Sequence, residues 1–222
     1  MLHSPILNDL GQKHGTDKCS GPTTHDYLRK YEFFLKPLKD QEFIFLELGV
    51  FKGGSLRTWS DYFTKATLIG VDIEEKVRDY ELGRGKLIIG DLSQNDFLDS
   101  LLALSPRVVL DDASHWWPDQ VRALFTLYPN LPQGGLYIME DIHTSFAPLS
   151  RHFSVGFDTP PFLLLQKIPE YMTGNDRPCP MMPEENLVPI NRLTKFNNEL
   201  RHLADLTDAI TFIEKSCVLI RK

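Results

Sequence analysis

Cysteine is scarce, with three in 222 residues, at positions 19, 179 and 217. Their odd number and wide spacing exclude a disulfide framework and the close-set zinc patterns, and fit reduced thiols in a cytoplasmic protein. An excess of positive charge is also missing. With 24 Lys and Arg against 30 Asp and Glu, the formal net charge is −6. That argues against a nucleic acid or an anionic membrane as partner, since either calls for a basic face. No apolar run approaches the roughly 18 residues that cross a bilayer. The opening MLHSPILNDL has neither the basic n-region nor the long apolar h-region of a secretory signal, so a cytoplasmic location is expected. Internal repeats and low-complexity tracts are lacking as well. What is left is an ordinary globular composition, with a length that suits one domain, or one domain and an appendage.

The organised part begins at residue 43. F-I-F-L-E-L-G is a nearly continuous apolar run, as a strand buried on both faces should be. It gives way at Gly49 to a glycine-rich turn and a helix expected over 55–63. A second strand, A-T-L-I-G-V-D, ends at Asp72 and leads into an acidic segment, 73–82; a third, K-L-I-I-G-D, ends at Asp91, with a helix over 96–104. Two further strands, 107–110 and 136–139, flank W-W-P-D-Q-V-R-A-L-F-T-L-Y-P, an amphipathic helix that tolerates Pro118 in its first turn. Alternation of this kind predicts an α/β fold, an open and mainly parallel sheet with helices on both faces. Ahead of it, residues 1–40 read as a helical cap. The polar turn G-T-D-K at 15–18 is followed by a helix over 25–35 with Tyr27, Tyr31 and Phe34 on one face. More than half of the fifteen prolines fall in 146–190, which predicts that no long regular element forms there and suits a lid or substrate wall. A helix over 191–206 and two closing strands, with a tight turn near Lys215 and Ser216, complete the chain.

The strands 107–110 and 136–139 each end in a pair of acids followed closely by a histidine, D-D-A-S-H and E-D-I-H. The carboxyl ends of neighbouring parallel strands form the ligand crevice. Asp111, Asp112, Glu140 and Asp141 therefore converge on one volume, with His115 and His143 beside it. Clustered carboxylates repel unless a cation sits among them, so a divalent metal is expected. In Glu47-Leu-Gly49-Val-Phe-Lys-Gly53-Gly-Ser55 the glycines admit a ligand close to the backbone, and the helix N-terminus behind favours an anionic group. The turn lacks G-x-G-x-x-G order, which speaks against NAD. Asp72, about 20 residues on, is placed to accept hydrogen bonds from a ribose diol, and Asp91 ends the strand where an adenine would lie.

These pieces, with H-G-T-D-K, G-V-D-I, G-D-L-S and G-G-L-Y-I-M-E-D-I-H-T-S, run in order over roughly 14–145. Together they resemble class I S-adenosylmethionine-dependent methyltransferases, and more closely the metal-dependent O-methyltransferases of macrolide and deoxysugar antibiotic biosynthesis, of the mycinamicin and tetracenomycin-rhamnose type. The resemblance implies a Rossmann-like, mainly parallel seven-stranded sheet with an antiparallel C-terminal strand. It also implies one methyltransferase domain over 1–222: a cap (1–40), a cofactor- and metal-binding core (41–145), a Pro-rich lid or insertion (146–190) and a helix with a closing strand pair (191–222). By the same resemblance, Glu47, Gly49, Gly53 and Ser55 border the methionine end of S-adenosyl-L-methionine. Asp72 holds the ribose, Asp91 and Ser93 the adenine side, and Thr16 and Lys18 cap the cofactor pocket. Asp112, Glu140 and Asp141 bind Mg2+, and His115 is the general base. Asp111 stands apart as structural or cofactor-facing. Ala113 and Leu92 depart from the family's usual Gly and Gln. Trp116 and Trp117 either wall the acceptor site or anchor their helix, and His143 either supports the acids or caps a turn.

Methyl transfer from a sulfonium needs an oxygen nucleophile in line with the S–CH3 bond, and a sugar hydroxyl has too high a pKa to react readily at neutral pH. A divalent ion held by hard carboxylates offsets that deficit, and a histidine near neutrality takes the proton. The expected partner is thus a small-molecule hydroxyl acceptor on a sugar, glycoside or polyketide-like product, with a homo-oligomer left open. Two other readings remain: a cephalosporin-hydroxylase-like oxidative enzyme, separable by oxygen consumption with added iron, and a non-catalytic S-adenosylmethionine-binding or regulatory protein with a vestigial pocket, probed by calorimetric titration with S-adenosylmethionine.

Overall fold

Apolar strand segments dictate the centre of the molecule. The computed structural model describes residues 6–173 and 195–222. Its seven strands are β1 (Ile44–Leu48), β2 (Thr67–Asp72), β3 (Lys86–Ile89), β4 (Val108–Asp111), β5 (Leu136–Met139), β6 (Thr207–Ile213) and β7 (Ser216–Arg221). They form one sheet in the order β3-β2-β1-β4-β5-β7-β6. The first five pair in parallel, and β7 runs antiparallel to both β5 and β6. This is the mainly parallel seven-stranded sheet expected, with its antiparallel C-terminal strand. The order reverses between β1 and β4, so the crevice of a doubly wound sheet opens above those two strand ends.

Helices cover both faces, which explains the continuous apolar runs. On one face α1 (Ile6–His14), α2 (Leu28–Leu35) and α3 (Gly54–Tyr62) pack against Phe45, Val108 and Leu110. On the other, α4 (Asn95–Ser100), α5 (Trp117–Leu127), α7 (Pro161–Met172) and α8 (Asn197–Leu206) enclose Leu46, Leu48, Val109 and Tyr137. Successive residues of β4 thus serve opposite cores, as a two-residue period requires. Of the face expected on the second helix, Tyr27 and Tyr31 are buried and Phe34 is half-buried, with Leu28 and Leu35 buried beside them, and Pro118 stands in the first turn of α5.

The region after Ser145 departs from expectation. Following the short α6 (Ser150–Phe153), α7 is a regular twelve-residue helix despite its prolines. Pro161 opens it, where the missing N–H is no loss and φ is already helical. Pro169 lies inside and forfeits one backbone hydrogen bond, a loss of about 3 kcal/mol. Leu164, Leu165 and Ile168 are fully buried in the second core, and roughly 1.5–3 kcal/mol for each such side chain outweighs it. The remainder of the expected insertion, 174–190 with Cys179, and the start of the helix expected over 191–206 lie outside the described residues. Among the described residues, no helix is long and apolar enough to cross a membrane.

Candidate active site

A cavity of about 830 Å³ follows the carboxyl ends of β3, β2, β1, β4 and β5. Of the residues expected to touch cofactor, Thr16, Lys18, Gly49, Ser55, Asp72, Asp91 and Ser93 line it. So do Asp112, His115, Glu140 and Asp141. Glu47, Gly53 and Asp111 stand behind its wall.

The turn after β1 joins the two ends of the cavity. Gly49 has φ 87°, and a Cβ there would lie 2.2 Å from the Asp112 carbonyl oxygen, so only glycine lets this turn rest on the end of β4. Asp72 Oδ2 accepts hydrogen bonds from the amides of Val50 (2.9 Å) and Phe51 (3.0 Å). Its Oδ1 accepts one from Glu74 N–H at 2.9 Å. Asp91 Oδ1 accepts from Ser93 N–H at 2.9 Å, and bonding to Ser93 holds its carboxyl below the usual range.

The two acids off the wall are both fully enclosed, on opposite faces of the sheet. Burial pushes Asp111 up to about 7, against the hydrogen bond that Tyr137 Oη–H donates to its Oδ2 at 2.9 Å. Burial likewise pushes Glu47 up to about 7, opposed by Lys18. Ser55 and Trp59 also favour its charged form, yet neither Glu47 oxygen has a partner at hydrogen-bonding distance.

At the acid end the chain provides a cation of its own. The Lys18 ammonium, 2% exposed, donates to Glu140 Oε2 at 2.7 Å and to Asp112 Oδ2. Burial alone would lower the Lys18 pKa, but Asp112, Glu140 and Glu47 outweigh it and keep the ammonium charged. Burial, reinforced by Asp112, raises the Glu140 carboxyl although Lys18 opposes it. The other Glu140 oxygen, Oε1, is buried without a partner. Asp141 Oδ1 accepts a hydrogen bond from Tyr27 Oη–H at 2.8 Å. Burial would raise its pKa, but His115, Tyr27 and His25 together hold it below the usual carboxylate value.

His115 Nε2 lies 3.4 Å from Asp141 Oδ2 and 3.8 Å from Asp112 Oδ1. One ligand atom each from Asp112, His115 and Asp141 falls within 4.8 Å of the others, a grouping that could hold a metal ion. His115 and Asp141 both take left-handed backbone, φ 57° and 55°. Such conformations are unfavourable outside glycine and recur where a side chain must be aimed at a site.

Two features were not legible in the sequence. Helical spacing marked Tyr27 as buried, but nothing local links position 27 to position 141. Lys18 was expected at the cofactor and is found bonded to the acids. The two tryptophans divide their roles: Trp117 is buried, whereas Trp116 is 43% exposed and borders the cavity. His143 Nδ1 is 3.8 Å from Asp141 Oδ1, beside the acids but beyond hydrogen-bonding reach.

No family model matches the chain. It is 38% identical over 153 residues to the 8-demethyl-8-alpha-L-rhamnosyl tetracenomycin-C 2'-O-methyltransferase of Streptomyces olivaceus, a match covering 65% of this chain and 39% of that protein. Over 154 residues it is 32% identical to the demethylmacrocin O-methyltransferase of Streptomyces fradiae, covering 65% and 38%. The chain is a homologue of these O-methyltransferases. It spans about two fifths of the length of the curated relatives it matches. Among solved structures, the MycE methyltransferase of the mycinamycin biosynthetic pathway, in complex with Mg, SAH and mycinamycin VI, superposes with a TM-score of 0.76 at 22% identity. That match covers 99% of this chain and 55% of MycE, and it shows the methyltransferase fold.

Proposed function

We propose that the chain is an S-adenosylmethionine- and Mg2+-dependent O-methyltransferase acting on a sugar hydroxyl of a glycosylated natural product. The observation that carries this reading is that one cavity joins the glycine turn, Asp72 and Asp91 at one end to the Asp112, His115 and Asp141 cluster at the other. Its size suits a cofactor with part of an acceptor. The donor set fits a hard divalent ion. Asp112 Oδ1 and Asp141 Oδ2 face a common point beside His115 Nε2, and Glu140 borders the same end of the cavity. The names of the relatives, among them a rhamnosyl 2'- and a mycinamicin VI 2''-O-methyltransferase, support a sugar hydroxyl as acceptor.

In this reading Asp112, Glu140 and Asp141 hold the ion. When bound, S-adenosylmethionine supplies the methyl group and the ion supplies positive charge beside the acceptor oxygen, lowering that hydroxyl's pKa. His115 takes the hydroxyl proton at Nε2. Its Nδ1 is enclosed without a partner, whereas Nε2 reaches the cluster, and Asp141 at 3.4 Å stabilises the imidazolium that forms. Asp72 orients the ribose through Oδ1, and Trp116 and Phe153, whose ring meets that of His115 at 6.2 Å, help exclude water. The oxidative reading fits less well. Iron oxygenases favour two histidines with one carboxylate, and the cluster has one histidine with two acids.

The test is radiolabelled methyl transfer to rhamnosylated and macrolide glycosides. Turnover should vanish with EDTA and return with Mg2+, and His115→Ala should lose at least 100-fold in kcat while binding S-adenosylhomocysteine as tightly as the parent. Undiminished turnover in EDTA removes the metal from the reaction, and undiminished turnover in His115→Ala removes the base.

A further inference from the structure

Each of the three acids at the ends of β4 and β5 has one oxygen hydrogen-bonded by the chain and one that is not. Asp112 gives Oδ2 to Lys18 and leaves Oδ1 facing His115. Glu140 gives Oε2 to Lys18, and its Oε1 is buried with no partner at hydrogen-bonding distance. Asp141 gives Oδ1 to Tyr27 and leaves Oδ2 facing His115. Both donors come from the segment joining α1 to α2. Lys18 and Tyr27 are 2% and 0% exposed, so neither swings away without leaving a buried polar group unsatisfied. The backbone pins the segment as well: Leu28 N–H donates to the Lys18 carbonyl at 3.0 Å and His25 N–H to the Asp17 carbonyl at 2.8 Å. Gln120 Nε2–H further fixes Glu140 by donating to its carbonyl oxygen at 2.9 Å.

A carboxylate oxygen held in a buried or charge-assisted hydrogen bond is turned toward its donor and has less electron density to give a metal, so each acid presents chiefly its other oxygen. We infer that Lys18 and Tyr27 are positioning residues that make all three carboxylates monodentate and thereby set which ion the site accepts, favouring Mg2+ or Mn2+ over Ca2+. The inference rests on the metal reading above. Its physical basis is coordination number. Ca2+ takes six to eight oxygens at about 2.3–2.6 Å and uses carboxylates bidentately, whereas Mg2+ takes six at about 2.0–2.1 Å, keeps several waters and needs only one or two carboxylates. Three single oxygens satisfy the smaller ion and starve the larger. Lys18 adds a charge effect, since an ammonium among the acids reduces the attraction available to any second cation.

The experiment measures binding rather than turnover. Mn2+ binding to the full chain is followed by its paramagnetic resonance signal, with Mg2+ and Ca2+ as competitors, for the parent, Lys18→Met, Tyr27→Phe and Lys18→Arg. Lys18→Met should shift the Mg2+ to Ca2+ preference at least tenfold toward Ca2+, because two acids regain their second oxygen. Tyr27→Phe, which frees one oxygen and changes no charge, should shift it in the same direction by a smaller factor. Lys18→Arg keeps a donor and should hold the preference near the parent's. A folded Lys18→Met and Tyr27→Phe with the parent's preference overturn the inference. Should Lys18→Met not fold, Tyr27→Phe decides alone. A parent that binds no divalent ion overturns the metal reading itself, a different outcome from unchanged selectivity.

Discussion

Asp111 and Asp112 are adjacent acids with opposite fates. Asp112 lies past the end of β4 and reaches the cavity, while Asp111, still in the strand, is turned into the second core against Tyr137. Its folded pKa of about 7 stands above the ordinary 3.8. The protonated carboxyl therefore contributes stability that is fully present below about pH 4 and is lost as pH rises through 7. Asparagine resembles the protonated form at every pH. The stability difference between Asp111→Asn and the parent in urea melts should be at its low-pH value at about pH 3.5, be already displaced toward the variant at pH 5, and by pH 8 have moved in the variant's favour by up to about 4 kcal/mol for a shift of this size. Glu47 shares the direction and provides the same background in both proteins. The same difference at pH 8 as at low pH would show that Asp111 is ionised in the fold without penalty.

At the scale of elements, α7 is the test of how packing overrides local preference. Its prolines argue against a helix, and its aliphatic face imposes one. Pro169→Ala should restore a hydrogen bond to the Leu165 carbonyl and remove the ring clash. The gain should lie between about 1 and 3 kcal/mol, read from the midpoint of a urea transition at unchanged slope. A loss instead would mean that the ring of Pro169 packs better than a helical alanine. The segment between α1 and α2 shows the opposite balance. It has little regular structure, yet its side chains bond to residues more than ninety positions away, so its conformation is set by what it touches.

For the whole molecule, the acid end of the crevice brings Asp112, His115 and Asp141 within reach of one ion, with Lys18 bonded to Asp112 and Glu140 as a resident counter-charge. A ligand that binds only the folded state stabilises it in proportion to RT ln(1 + [L]/Kd). Mg2+ at about 100 times its dissociation constant should raise stability by about 2.7 kcal/mol. S-adenosylhomocysteine at the same ratio should add a similar amount, since the proposed function assigns it the other end of the same cavity. Differential scanning calorimetry with each alone and both together checks this. A melting temperature indifferent to Mg2+ in the presence of S-adenosylhomocysteine contradicts the proposed ion site.

The sequence by itself determined the sheet. Apolar runs of four to six residues alternating with amphipathic helices have one economical packing, and acids placed at the carboxyl ends of β2, β4 and β5 must meet at its carboxyl edge. Glu47 and Asp111 were legible as strand-end acids, but a single residue of register decides whether a side chain faces the crevice or a core, and only the pleat of the finished sheet makes that choice. The cation among the acids was legible as a need, because clustered carboxylates repel. That part of it is Lys18, that Tyr27 engages Asp141, and that His115 faces the acids through Nε2 were decided by tertiary structure. Those contacts join segments far apart in the chain, and no local periodicity or propensity encodes which of them will meet.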